Sequence, residues 1–169
     1  MKVALGLALL LSLARVAIAS AQDSPVADFA LMGVRLNMTP EEATQVLKAE
    51  SGNVTEHTAY CQRGPAELCR RILARLPDGS IEVLFRGSPG QFRAVRAALT
   101  VKARGESDRD AIVSAAIEHY GPPTLQEPAW CTPDASGRGC QDDAPAMVFR
   151  PLAGAAGEFI LRGASTGDP

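Results

Sequence analysis

Apolar residues recur with helical spacing in the segment that follows Thr39. Thr39 and Glu42 match the capping box, in which each side chain bonds to the backbone N–H of the other residue. Pro40 suits the first helical position, and Gly52 supplies the left-handed conformation that commonly ends a helix. The sequence therefore predicts a helix between Thr39 and Gly52, with one apolar stripe formed by Ala43, Val46 and Leu47.

A second helix is predicted between Ser107 and Gly121. Ser107 is the expected N-cap, and Asp110 occupies the capping-box position three residues later. Gly121-Pro122-Pro123 ends the helix because proline cannot continue it. The apolar stripe of this helix consists of Ile112, Ala115, Ala116 and Tyr120.

Elsewhere apolar and polar residues alternate, which is the period of a β-strand. Pro77-Asp78-Gly79-Ser80 separates two such runs and consists of residues that favour turns, so it predicts a hairpin. In the run 92–103, alternation places Val95, Ala97, Leu99, Val101 and Ala103 on one face. The predicted strands span 53–60, 70–76, 81–86, 92–103, 124–131, 146–150 and 158–162, and 132–144 is a predicted loop.

The predicted elements recur in the same order at a nearly constant offset. Thr39 and Ser107 are 68 residues apart, and Tyr60-Cys61 and Trp130-Cys131 are 70 residues apart. Such recurrence indicates a duplicated unit, unless common turn residues coincide by chance. We therefore predict an α+β fold, a tandem repeat of helix plus antiparallel sheet with the helices packed on one sheet face. The repeats would span about 28–103 and 104–163.

The first 21 residues have the composition of a secretory signal peptide. Residues 3–13 are apolar, and Ala19-Ser20-Ala21 matches the small-residue cleavage pattern. An uncleaved membrane anchor is the alternative, but Arg15 would place a charge near mid-span. Cleavage after Ala21 would leave a periplasmic or secreted globular unit at 22–163, a flexible tail at 164–169 and no transmembrane segment.

All four cysteines follow the predicted signal peptide: Cys61, Cys69, Cys131 and Cys140. An even number in an exported chain indicates disulfides. Three pairings are possible, and we favour Cys61–Cys69 and Cys131–Cys140, because each repeat would then carry one bridge at the same place. Zinc is disfavoured, since no Cys-x-x-Cys occurs and His57 and His119 are the only histidines.

The segment from Gly33 to Ala43, G-V-R-L-N-M-T-P-E-E-A, resembles the opening of a group of small bacterial envelope domains. The group includes the small lipoprotein of the outer-membrane β-barrel assembly machine and the tandem-repeat β-lactamase inhibitor proteins. Tyr120-Gly121-Pro122-Pro123 is similar to the motif that often ends a helix in such chains. The resemblance implies helices packed on one face of an antiparallel sheet and binding to other envelope proteins. Asn37 replaces the usual glycine, and asparagine tolerates a positive φ.

If the apolar faces of the predicted strands point at the helices, six arginines share the opposite face of the sheet. A guanidinium suits carboxylate or phosphate because of its two-pronged geometry. This face is the predicted binding surface for an anionic partner, or alternatively a solvated face whose long side chains shield the sheet. Its members are Arg71, Arg75, Arg86, Arg96, Arg150 and Arg162.

Two aromatic residues stand beside cysteines at matching places, Tyr60 before Cys61 and Trp130 before Cys131. One interpretation is that both rings pack against a disulfide in the core. The other is that they form a hot spot for binding a protein.

No catalytic or cofactor motif stands out. Gly87-Ser88-Pro89-Gly90 lacks the first glycine and the following helix of a nucleophile elbow. Asp108 and Asp110 are explained as acids at a helix start. We therefore predict a non-enzymatic protein-interaction or inhibitor-like module without cofactor or metal, and a small-ligand or lipid-binding domain as the alternative.

The predicted partner is an envelope protein or an anionic envelope component, and not a nucleic acid. The predicted signal peptide holds Lys2 and Arg15 and no acidic residue, so cleavage changes the formal net charge from −2 to −4. A negative balance disfavours general binding to nucleic acid.

Overall fold

Nine strands and two α-helices make up the part of the chain that the computed structural model describes, which is residues 25–51, 53–60, 68–103, 105–153 and 156–164. The predicted signal peptide, Gly52 and Cys61 lie outside these ranges. A 3₁₀ helix, Pro25–Asp28, comes first. The elements are β1 (Ala30–Leu31), β2 (Val34–Arg35), α1 (Pro40–Ser51), β3 (Val54–Tyr60), β4 (Leu68–Leu76), β5 (Gly79–Gly87), β6 (Arg93–Lys102), α2 (Glu106–Tyr120), β7 (Ala129–Cys131), β8 (Ala146–Leu152) and β9 (Ala156–Arg162).

Seven of the strands form one antiparallel sheet in the order β3-β4-β5-β6-β9-β8-β7, and β1 pairs with β2 separately. The predicted α+β tandem repeat of helix plus antiparallel sheet is therefore wrong. The described chain is mostly β, and β6 pairs with β9 along Arg96–Lys102, so a boundary between 103 and 104 does not separate two sheets. The physical reason is that an unpaired strand edge exposes backbone N–H and C=O groups, and β6 satisfies these groups by pairing with β9.

The hairpin predicted at Pro77-Asp78 is confirmed. β4 and β5 pair from Leu68↔Gly87 to Leu76↔Gly79, which leaves two residues in the turn. Gly79 also passes close to β6, where a Cβ atom would lie 2.0 Å from the carbonyl oxygen of Thr100. Gly79 is thus needed for the close approach of β6 as well as for the turn.

Helix α1 begins with the predicted capping box. The Thr39 N–H donates to Glu42 Oε2 at 2.8 Å, and the Glu42 N–H donates to Thr39 Oγ1 at 3.2 Å. Ala43 and Leu47 are fully buried against the sheet. Just before the helix, Asn37 has φ 65°, a positive value that asparagine tolerates better than most residues.

Helix α2 covers the predicted segment but begins differently. Its N-cap is Gly105 and makes no side-chain capping bond, so the predicted cap at Ser107 is wrong. The helix starts at Glu106, which places Ser107 inside the first turn. Only Ala116 is buried, and Ile117 is the large apolar residue that the described surface exposes, at 37%. α2 therefore packs more loosely than α1.

The core fills the side of the sheet on which α1 lies. Cross-strand neighbours Ile72, Val83, Ala97 and Leu161 are buried in successive strands, and Met147 continues the row in β8. One strand departs from regular alternation, because β6 contains a bulge. Leu84 pairs with Arg96 while Phe85 pairs with Ala94, which leaves Val95 unpaired. The predicted face of Val95, Ala97 and Leu99 is therefore wrong at Val95.

The predicted disulfide Cys131–Cys140 is confirmed. Cys69 is disulfide-bonded as well, and its predicted partner Cys61 lies outside the described residues. Cys131 ends β7, and its N–H donates to Thr124 Oγ1 at 3.1 Å. The bridge thus closes the loop 132–139 onto the last strand of the sheet.

Replacing Cys131 and Cys140 together by serine should lower the free energy of unfolding by about 2.5 kcal/mol, since a loop of this length loses its cross-link in the unfolded chain. Urea denaturation of the oxidised protein and the double variant measures the difference. A change close to zero would contradict the entropic role of the bridge.

The capping box should make stability depend on pH through Glu42. The bond from the Thr39 backbone N–H holds the pKa of Glu42 below its ordinary 4.5. This contribution is therefore present above pH 4.5 and is lost as the pH falls through the lowered value. Glu42→Gln should lower the free energy of unfolding at neutral pH and leave it at the wild-type value in stronger acid. Thr39→Ala should lower the free energy of unfolding by about 1 kcal/mol at neutral pH. Urea denaturation at both pH values measures this, and an equal loss at both for Glu42→Gln would disprove it.

Candidate functional site: a basic sheet face

Strand register places all six predicted arginines on the outer side of the sheet, opposite the core. We call these residues, together with Lys102, the basic face: Arg71, Arg75, Arg86, Arg96, Arg150, Arg162 and Lys102. The core side of the same strands carries Ile72, Val83 and Leu161, which are fully buried. Alternation along each strand thus separates the two chemistries.

The basic face contains a cross-strand pair of like charges. Arg96 in β6 lies opposite Arg162 in β9, and Leu84 separates Arg96 from Arg71 in the same cross-strand row. Like charges directly opposite each other destabilise a sheet. The sheet therefore keeps this row at a cost in stability.

Two glutamates compensate part of the charge. Glu82 Oε1 lies 3.7 Å from Arg71 Nε and 3.8 Å from Arg96 Nη1, which is beyond hydrogen-bonding distance. Glu158 accepts a hydrogen bond from Arg150 at 2.5 Å. With these two acids, the seven residues of the basic face carry a formal net charge of +5, and Arg93, which lies opposite Arg86 in β6, adds a further positive charge to this side of the sheet.

Three members of the basic face have no ion pair among the described residues: Arg75, Arg86 and Lys102. Arg75 is exposed. The Nε atom of Arg86 is buried and has no hydrogen-bond partner in the described chain. The exposed Arg75 and Lys102 are therefore the cations most available to an incoming acceptor, because neither has a carboxylate partner among the described residues.

The disulfide loop borders the basic face at β7 and β8. Ala129, Cys131 and Ala146 lie on the outer side of these strands and are nevertheless buried, with Cys140 packed against them. Arg162 donates to the carbonyl oxygens of Gln141 at 3.3 Å and of Asp142 at 3.5 Å. The covalent bridge therefore places the loop where it holds one arginine of the face.

The two predicted aromatic residues do not join the basic face. Trp130 is 3% exposed in the core, and its indole N–H donates to the Gly121 carbonyl at 2.8 Å. It packs against Tyr120, whose hydroxyl donates to the Ala30 carbonyl at 2.5 Å and whose pKa is raised by burial. Trp130 is thus a core residue and unavailable to a partner. Tyr60 ends β3 opposite Leu68, at the margin of the sheet.

Sequence reasoning missed the glutamates and Lys102. Glu82 lies two residues from Leu84 in β5, and Glu158 lies two residues from Ile160 in β9, so period-two alternation already assigns both to the outer side. The half-buried Leu73, Leu84 and Ile160 on the same side follow from the same rule. The positions of Glu82, Glu158 and Lys102 in the alternation are therefore sufficient to place them on the outer side.

Other titratable groups form no competing centre in the described residues. No group of three His, Cys, Asp or Glu side chains there could hold a metal ion. Asp134 has a lowered pKa because it accepts hydrogen bonds, chiefly from the Ser136 hydroxyl, within its own loop. His119 lies in the last turn of α2 with its ring edge-on to Tyr120. The basic face is thus the most distinctive arrangement of charge on the described surface.

Comparison with protein-family models, with curated proteins and with solved structures finds no match to this chain. The resemblance at Gly33–Ala43 therefore stays a prediction. Neither described helix has the length and apolar character needed to cross a membrane.

Replacing Glu82 by glutamine should lower stability by about 0.5 kcal/mol at low salt, because Arg71 and Arg96 lose their shared carboxylate. The loss should shrink in concentrated NaCl, which screens exposed charges. Urea denaturation at both salt concentrations measures it, with Glu118→Gln on the exposed surface of α2 as the control for charge alone. A loss for Glu82→Gln that does not change with salt would refute the electrostatic origin.

Proposed function

We propose that this protein is a non-enzymatic interaction or inhibitor-like module of the bacterial envelope whose basic face binds an acidic segment of an envelope protein. The observation that carries the proposal is that the net charge of the basic face is opposite in sign to the net charge of the whole chain. The full chain has a formal net charge of −2, and the basic face carries +5. A local field of this kind steers an acidic partner to one side of the molecule.

The composition of the face favours a protein partner over a membrane or a polysaccharide. Leu73, Leu84 and Ile160 lie half-buried between the arginines, so apolar contact is available beside each charge. Protein interfaces combine apolar area with arginine in this way. An extended acidic segment can place carboxylates on Arg96 and Arg86 and apolar side chains on the residues between them.

The cost of the like-charge row also supports a binding role. Arg96 and Arg162 lie opposite each other, and Arg86 keeps a buried Nε atom without a partner. Both features destabilise the free protein. A carboxylate supplied from outside would relieve the repulsion between Arg96 and Arg162, so the binding energy of the partner includes this relief.

Placement in the periplasm or outside the cell rests on the disulfides and the predicted signal peptide. Cys131–Cys140 and the bonded Cys69 suit an oxidising compartment. Cleavage after Ala21 would deliver the chain there.

The double variant Arg86→Glu and Arg96→Glu should abolish binding to the acidic partner. The test has two steps: cross-linking in the envelope of the cell that makes the protein identifies the attached species, and titration of the purified pair at increasing NaCl follows the affinity. Wild type should bind with an affinity that falls steeply with salt, because the contact is electrostatic.

Lys48→Glu is the control for each of the two single variants Arg86→Glu and Arg96→Glu, since it makes the same charge change as either of them on the exposed surface of α1, across the sheet from the basic face. It should leave binding unchanged. The proposal fails if the double variant binds as wild type does, if Lys48→Glu is equally damaging, or if wild type sediments with anionic phospholipid vesicles and forms no protein cross-link.

A further inference from the structure

A groove on the core side of the sheet separates the first half of α2 from β8. Its volume is about 570 Å³, within the range of roughly 300 to 1,000 Å³ typical of small-molecule sites. The apolar part of its wall consists of Val113 from α2, Pro128 from the loop before β7, and Phe149 and Pro151 from β8. The groove remains open because Ala116 is the one residue that α2 buries.

A proline removes a backbone donor where β7 begins. The Phe149 N–H donates to the Pro128 carbonyl at 2.9 Å, which continues the antiparallel pairing of Ala129 with Val148 by one step. Residues paired in this way normally exchange two hydrogen bonds. Pro128 has no N–H and cannot return the second bond. The Phe149 carbonyl therefore lacks the donor that a partner strand usually supplies.

A second proline follows two residues later on the same edge of β8. The backbone groups of alternate residues in a strand point toward the same edge, so those of Phe149 and Pro151 share one direction. β7 pairs with β8 only as far as Val148, and no described strand lies beside Pro151 on this edge. Pro151 also has no N–H. This part of β8, which we call the acceptor edge, thus consists of the carbonyls of Phe149 and Pro151 without a free backbone donor.

Two carboxylates border the groove from different walls. Asp110 lies on α2 and Glu127 on the loop before β7. Both are exposed, and neither forms an ion pair with another described residue. Arg109 is the third charged residue of the lining, so the formal charges of the three sum to −1. The groove therefore combines apolar walls, backbone acceptors and a negative charge.

We infer that this groove binds a primary alkylammonium ion. The ammonium group lies at the acceptor edge between Asp110 and Glu127, and the alkyl chain lies against Val113 and Phe149. An ammonium has three N–H donors and no acceptor, which is the complement of an edge with acceptors and no free backbone donor. Its charge is opposite in sign to that of the lining. The site does not involve the basic face, so it can exist whether or not the proposed interaction does.

Three ligands with the same alkyl chain test the site: octylammonium, octyltrimethylammonium and octanol, each titrated calorimetrically below its aggregation limit. Wild type should bind octylammonium saturably and more tightly than either of the other two. Octanol lacks the charge, and octyltrimethylammonium has the charge but no N–H to donate to the acceptor edge. Equal or tighter binding of octyltrimethylammonium would contradict the role of the carbonyls.

The double variant Asp110→Asn and Glu127→Gln should weaken both cations roughly fivefold, the effect of losing two exposed charge pairs, and leave octanol unchanged. The matched control is the double variant Glu50→Gln and Glu118→Gln, which removes two negative charges from exposed positions outside the groove and should bind all three ligands as wild type does. Val113→Phe should abolish binding of all three ligands by filling the groove.

Far-ultraviolet circular dichroism establishes that each variant keeps its fold, and Val113→Leu replaces Val113→Phe if the larger residue prevents folding. Absence of saturable octylammonium binding by wild type would overturn the inference. So would an equal loss of octanol and octylammonium in the groove double variant, an equal loss of octylammonium in the control, or unchanged binding in the variant that fills the groove.

Discussion

The pairing of β6 with β9 is the contact on which the rest of the molecule depends. It joins strands more than fifty residues apart in sequence and turns two groups of strands into a single sheet of seven. Without it, Ala97 and Leu161 would not be neighbours in the core, and Arg96 and Arg162 would not be neighbours on the outer side. One row of backbone hydrogen bonds therefore creates both the apolar layer and the continuous charged surface.

The two sides of this sheet offer different chemistry to different ligands. The outer side is open, cationic and interrupted by aliphatic residues, which suits a large acidic surface. The core side is closed by α1 but incompletely covered by α2, which leaves a groove of small-molecule size. Loose packing of α2 thus leaves a narrow groove on the core side, whereas the outer side, which neither α-helix covers, is a broad face.

Local chemistry predicted local structure well. The Thr39–Glu42 capping box and the turn at Pro77-Asp78 depend on residues close in sequence, and both form as expected. The shared side of the six arginines was also predictable, because side chains alternate between the two faces of a strand whichever strand it pairs with. At the start of α2 the prediction failed, because helical hydrogen bonding extends back to Gly105 and leaves Ser107 within the helix. Strand order, the tilt of α2 and the groove depend on contacts between distant segments, for which spacing along the chain carries no signal.

The bulge at Val95 also determines how the length of this chain can vary during evolution. Ala94 and Ala97 both face the core although they are three residues apart, because the unpaired Val95 absorbs one step of the alternation. Loss of Val95 alone would leave Ala94, Arg96 and Ala97 on their present sides. Loss of a residue beyond the bulge, such as Leu99, would turn part of the strand over and carry a guanidinium or a lysine into the apolar layer. Descendants of this sequence should therefore tolerate a deletion in β6 at the bulge, and the ionic surface would survive the loss of Val95.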